Sequence, residues 1–208
     1  MAATRTRSDA VAGVFDAKAA RYDEDRMHRG LARAVAAFAA LDGVRDVLDV
    51  ATGTGLALRA LADIAPGLAL TGTDISRGML EVARRESPAA EWLEADAASL
   101  PLDSDAFDLV LCVTGLHLLE DPVAAAQEWV RVLRPGGRII TATFAEGGFV
   151  PAPGAAFTVD HDAFRTAQHM SDFASRTGLT VSRHSIWCDS TPRMLLTELR
   201  LFSEGTSR

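Results

Sequence analysis

The sequence has only two cysteines, Cys112 and Cys188, in 208 residues, and neither belongs to a Cys-x-x-Cys pair. That excludes a disulfide-stapled scaffold and a zinc ribbon, and leaves two reduced thiols in a cytoplasmic setting as the expectation. His161, His169 and His184 are scattered, with no metal-ligand spacing, so no metal is expected. No dense basic run occurs. The formal charge is -7 and the isoelectric point about 5.2, which removes the electrostatic footprint of a nucleic-acid binder. No stretch approaches the ~20 apolar residues needed to span a bilayer. Arg5 and Arg7 are followed by no uninterrupted apolar segment, so no secretory signal is expected. Tyrosine occurs once, at Tyr22. A phosphate-binding Gly-Lys-Ser/Thr loop is missing. So is the third glycine of a dinucleotide fingerprint, since Leu58 stands where it would fall after Gly53 and Gly55.

What is present is a chain with 48% hydrophobic residues, enough for a substantial core. Strand-like apolar runs alternate with helix-like stripes. Helices are expected near 9–25 and 27–41, where Leu31, Val35 and Phe38 form a stripe. Strands are expected at 45–50, 68–74, 90–95, 107–113 and 138–144. Helices near 54–65 and 77–86 and one starting at Asp121-Pro122 separate them; Ser76 and Asp121 read as N-caps. A helix near 160–177 and strands near 179–188 and 192–202 complete the chain. The alternation predicts an α/β doubly wound sheet with helices on both faces. The last two strands lie too close for a crossover helix, so they should pair antiparallel.

The chain is organised around Val47-Leu48-Asp49-Val50-Ala51-Thr52-Gly53-Thr54-Gly55. A strand buried on both faces is apolar almost throughout, so Asp49 is out of place unless something uses it. Gly53 and Gly55 permit backbone angles closed to other residues, and the helix that follows offers unpaired amides to a ligand. Asp74 ends the second strand, and Asp96 follows the third. One acid at a strand end usually caps the next helix. Three in register, beside a glycine turn, point to a ligand at the carboxyl edge of the sheet.

These residues resemble the glycine-rich motif of class I S-adenosylmethionine (SAM)-dependent methyltransferases, in the form seen in quinone-biosynthesis methyltransferases. Ala51 replaces the first glycine of the family pattern. Phe15-Asp16 with Tyr22-Asp23 resembles the family's N-terminal segment, and Leu133-Arg-Pro-Gly-Gly137 resembles a structural family marker; the likeness runs over about 12–144. It implies a Rossmann-like seven-stranded sheet, mostly parallel with an antiparallel last strand. It also implies a single domain over 1–208: a helical lid at 1–42, a cofactor core at 43–144 and an acceptor side at 145–208.

By the same resemblance, Asp74 would accept from the ribose hydroxyls of SAM. Ile75 and Met79 would pack on adenine, with Asp96 and Ala97 at its edge. Ala51, Thr52, Gly53 and Gly55 would pass the methionine part, and Asp49 would attract its ammonium. Val113 and Thr114 would lie beside the sulfonium, under Tyr22 of the lid. The activity implied is methyl transfer to O, N or C of a small molecule, with S-adenosylhomocysteine as product. Phe149, Phe157 and Phe164 suggest an apolar or aromatic acceptor, or else they are core. His117 is a candidate base, against a structural or cofactor-side histidine. A SAM- or nucleoside-binding protein without transferase activity is the alternative, and a homodimer is an open reading.

Overall fold

The computed structural model describes residues 6–147, 157, 159, 161–189 and 192–202. Seven strands form one sheet: β1 (Asp46–Val50), β2 (Ala69–Asp74), β3 (Glu91–Glu94), β4 (Phe107–Val113), β5 (Leu133–Phe144), β6 (Leu179–Trp187) and β7 (Met194–Leu201). Their order is β3-β2-β1-β4-β5-β7-β6. β7 alone runs against its neighbours, antiparallel to both β5 and β6. The expected Rossmann-like doubly wound sheet is therefore what the chain forms.

Among the described residues six α-helices accompany the sheet: α1 (Arg7–Tyr22), α2 (Arg26–Phe38), α3 (Leu56–Ile64), α4 (Arg77–Glu86), α5 (Pro122–Val132) and α6 (Ala167–Ser175). Side-chain alternation along the strands divides the core in two. Val47, Leu109, Leu111 and Ile140 meet α2, α3 and α4, while Leu48, Val50, Val110 and Ile139 meet α5 and α6 around the fully buried Trp129. The caps read from sequence form. Ser76 Oγ accepts from the Met79 amide, and Asp121 Oδ1 accepts from the amides of Val123 and Ala124. They start α4 and α5 sharply, so each helix begins just beyond a strand end that faces the site.

α1 and α2 each end three residues before the expected 25 and 41, and two elements differ more. The helix expected over 160–177 is a 3-10 turn at Asp162–Phe164 followed by α6, because Thr166 takes an extended conformation and caps the His169 amide. β5 begins at Leu133, five residues before the expected 138. Phe107 pairs with Leu133 and Leu109 with Arg138, so β5 advances five residues while β4 advances two. Gly136, at φ +83°, turns the excess chain outward.

That bulge delivers Arg134 to Asp46 (2.6 Å) and Asp108 (3.0 Å) at the amino-terminal edge of the sheet, away from the glycine turn. Asp108 also accepts from the amides of Arg45 and Asp46 at 2.8 and 3.0 Å. Burial opposes its charge, but these amides and Arg134 outweigh it and hold the carboxyl below its ordinary range. Its contribution to stability is thus complete above the ordinary carboxylate pKa near ~3.9, and is lost as pH falls through the lower folded value. Asp108→Ala leaves two edge amides unpartnered and should cost about 1–3 kcal/mol. Urea unfolding at pH 7 checks this, with the gap to the parent narrowing in acid.

Candidate functional site

The strand order reverses between β1 and β4, each followed by a connection to an opposite face of the sheet. Such a switch point opens a crevice at the strands' carboxyl ends. A cavity of about 970 Å³, counted out to its mouth, lies there. Tyr22, Asp49, Ala51, Thr52, Gly53, Asp74, Ile75, Met79, Asp96, Ala97, Val113 and Thr114 all line it. Gly55 and His117 do not.

Asp49 follows Val47 onto the α2/α3 face and is fully buried. Its Oδ2 accepts from Thr52 Oγ1 at 2.6 Å, while its Oδ1 accepts no hydrogen bond from the described residues. Burial pushes its pKa up to about 7, opposed by Thr52 and reinforced by Asp74. A buried acid without a full set of donors calls for a cation or a donor from the cavity.

Asp74 closes the turn from the neighbouring strand. Its Oδ2 accepts from the Gly53 amide and its Oδ1 from the Ser76 amide, both at 2.8 Å. Burial raises its pKa against these backbone donors. A carboxylate has about four lone-pair sites, so two amides leave capacity facing the cavity. Asp96, exposed at the mouth, accepts from the Ala98 amide through one oxygen, and Ala97 is buried beside it.

The two glycines of the turn serve different ends. A Cβ on Gly53, at φ +58°, would meet nothing within 4 Å, so its bare face borders the cavity. A Cβ on Gly55, at φ +78°, would lie 2.4 Å from the Trp92 ring. Gly55 therefore makes room for Trp92 under the turn, not for a ligand. Gly72 of β2 is held to glycine by the same ring, with a Cβ also at 2.4 Å. Trp92 is fixed by its Nε1–H donating to the Ser87 carbonyl at 2.9 Å. Ala51 takes the left-handed φ of +53° and sets its methyl against Gly115, where an added Cβ would lie 2.7 Å away. The departure from glycine keeps the turn's backbone and is accommodated by a glycine across the crevice.

Thr114 is β-branched yet has φ +55°. Such a conformation costs about 1–3 kcal/mol and clusters at functional sites. It presents the Thr114 hydroxyl to that of Tyr22. Burial, set against Thr114 and reinforced by Asp74, pushes the Tyr22 pKa up to about 12, so it stays a neutral phenol.

His117 is buried on the far side of the 3-10 turn at Leu116–Leu118, 4.5 Å from the His161 ring and 5.3 Å from Phe144. Burial, then His161 and Arg7, lowers its pKa to about 3. It is a neutral ring facing away from the cavity, which is the structural alternative. Phe164 is core, edge-on to Phe173 at 5.4 Å. Phe157 is half-buried and Phe149 lies outside the described residues.

Sequence reasoning missed the ties of α1. Asp16 Oδ1 accepts from Ser76 Oγ (2.6 Å) and the Gly78 amide (2.8 Å) at the start of α4. Asp23, which caps α1, accepts from Thr54 Oγ1 and pairs with Arg59 at the start of α3. Both acids meet a helix N-terminus, where negative charge is favoured. The signal was present as two acids in Phe15-Asp16 and Tyr22-Asp23, but their partners lie 31 to 62 positions away.

A sheet of this topology, with its glycine turn and strand-end acids lining one cavity, defines the class I methyltransferase fold. The family model described as a methyltransferase domain matches residues 48–141. A demethylmenaquinone methyltransferase from Renibacterium salmoninarum is 38% identical over 152 residues, covering 70% of this chain and 63% of that protein. The biotin biosynthesis bifunctional protein BioHC of Cellvibrio japonicus is 33% identical over 95% of this chain and 40% of its own length. A SAM-dependent methyltransferase from Mesorhizobium loti has the same fold, with a TM-score of 0.64 at 22% identity over 80% of this chain and 95% of that one. Residues 48–141 of the chain carry a methyltransferase domain. The chain spans about three fifths of the first of these curated relatives.

Proposed function

We propose that the chain transfers a methyl group from SAM to a small-molecule acceptor. The observation that carries this is the buried, donor-less Oδ1 of Asp49 beside the bare Gly53 turn, with Asp74 at the next strand end. These residues fit the group. Asp49 takes the ammonium, Gly53 lets the methionine part pass, Asp74 accepts from the ribose, and Ile75 and Met79 bracket adenine next to Ala97. SAM supplies an already activated methyl, so the protein's task is orientation and exclusion of water. The α1 segment, tied down by Asp16 and Asp23, is the cover that excludes water, within a single domain. The acceptor side is apolar, walled by Val11, Phe15, Leu31 and Ala32. An aromatic acceptor of the quinol type fits it, as the names of the menaquinone relatives suggest. The acidic surface fits a cytoplasmic protein with no nucleic-acid partner.

Asp49 gives this reading a proton signature. Its folded pKa is raised, so its contribution to stability is present below the ordinary ~3.9 and is lost as pH rises through about 7. A bound ammonium favours the carboxylate and pulls that value down. S-adenosylhomocysteine binding at pH 6 should therefore release about one proton, and affinity should rise about tenfold per pH unit up to 7. Calorimetry in buffers of different ionisation enthalpy counts the proton. Asp49→Asn should abolish both effects. Methyl transfer itself is tested with radiolabelled SAM and a panel of phenols and quinols. No labelled product from any member, with cofactor bound, favours the non-transferase reading.

A further inference from the structure

The cavity contains a histidine that plays no part in holding the cofactor. His28 lies in the first turn of α2, half-buried, and lines the cavity alongside Tyr22. The two rings stack, 4.3 Å apart and 18° from parallel. Tyr22 is the ring whose hydroxyl faces Thr114 at the end of β4. His28 thus sits one ring away from the end of the cavity assigned above to the reacting methyl.

The two nitrogens of His28 are distinguishable. Nδ1 is shielded from solvent and lies 3.6 Å from Asp25 Oδ2, just beyond hydrogen-bond distance. Asp25 is held in place because its Oδ1 caps α2, accepting from the Met27 amide at 2.7 Å. Once the pair closes to hydrogen-bond distance, Asp25 holds the proton on Nδ1 and leaves the lone pair on Nε2. Bonds of this type are often long before substrate arrives and tighten in the complex.

The geometry points to His28 as the base for the acceptor, with Asp25 as its positioning residue, and to an acceptor bearing a phenol-type hydroxyl; this rests on the function proposed above. As the acceptor oxygen's electron pair forms a bond to the methyl carbon, the proton leaves that oxygen for His28 Nε2. The carbon–sulfur bond breaks with its electron pair remaining on sulfur. The imidazolium then returns the proton to water. The charged groups around His28 are Asp25 and Asp23 from the α1–α2 turn and Lys18 from α1. Burial outweighs the two acids and lowers its pKa, so the ring is neutral and able to accept at pH 7.

The test uses 4-nitrophenol, whose ionised form absorbs visible light, added to the full chain saturated with S-adenosylhomocysteine. Pairing with the imidazolium that receives its proton should let bound probe ionise at a pH where free probe does not, with its apparent pKa lowered by about one unit. His28→Gln should remove that shift. His28→Phe, which keeps a ring on Tyr22, should remove it as well, separating the loss of a base from the loss of a stack. Asp25→Asn keeps the helix cap and should reduce the shift without abolishing it. Failure of the probe to bind, or a shift that survives both His28 variants, overturns the assignment of His28. Failure of the parent to bind S-adenosylhomocysteine overturns the methyltransferase reading instead.

Discussion

Asp74→Ala should lower the affinity for S-adenosylhomocysteine by 100-fold or more, the largest functional effect expected of any single change. A hydrogen bond to a charged group contributes about 1.5–3 kcal/mol. Losing two, one to each ribose hydroxyl, corresponds to roughly 10²- to 10⁴-fold. The loss extends further because Asp74 also accepts from the Gly53 and Ser76 amides, which hold the glycine turn and the start of α4. Asp74→Asn is not a mild alternative. Its NH2 group would face one of those amide donors, donor against donor, while the other side retained an acceptor. Calorimetric titration should show Asn nearer to Ala than to the parent. Urea unfolding run in parallel separates loss of the ligand contact from loss of the turn.

Gly55→Ala should be the most destabilising of the turn substitutions, by about 2–5 kcal/mol. Left-handed φ costs a non-glycine residue about 1–2 kcal/mol, and forcing a methyl into a packed site adds about 1–3 kcal/mol. The methyl would lie 2.4 Å from Trp92, whose ring is pinned by Ser87 and also pressed on Gly72. Gly53→Ala provides the contrast. It bears the left-handed cost alone, since no atom lies within 4 Å of its added Cβ. Its damage should appear in cofactor affinity, because the methyl would enter the cavity. Equal loss of stability in the two variants would contradict the separate roles given to the two glycines.

The contrast also shows how far the sequence could be read. The β1–turn–α3 stretch was legible because an acid in a buried strand and glycines before a helix each have one physical reading. The strand-end acids Asp74 and Asp96 were legible by register, and the caps at Ser76 and Asp121 by residue type. Which glycine faces the ligand was not legible. That depends on Trp92, which reaches under the turn from β3 through tertiary packing alone. Asp16 and Asp23 stood in the family-like N-terminal segment without legible partners, because only folding brings the starts of α4 and α3 against them. His28 shows no periodic or motif signal, and its place in the cavity follows from the short turn between α1 and α2, which sets it against Tyr22. His117 drew attention by its position after β4. The 3-10 turn there directs it to His161 on the far side instead. The helix expected over 160–177 breaks at Thr166 because a threonine can cap as readily as it can continue a helix.

The measurement that tests the central claim most directly is calorimetric titration of the chain with S-adenosylhomocysteine, with NAD as control, in the parent, Asp49→Asn and Asp74→Ala proteins. Micromolar binding with proton release at pH 6, lost release in Asp49→Asn, collapse in Asp74→Ala and no heat with NAD is the predicted result. A folded parent that fails to bind S-adenosylhomocysteine, or binds it unchanged in Asp74→Ala, would contradict the assignment of this cavity to the cofactor.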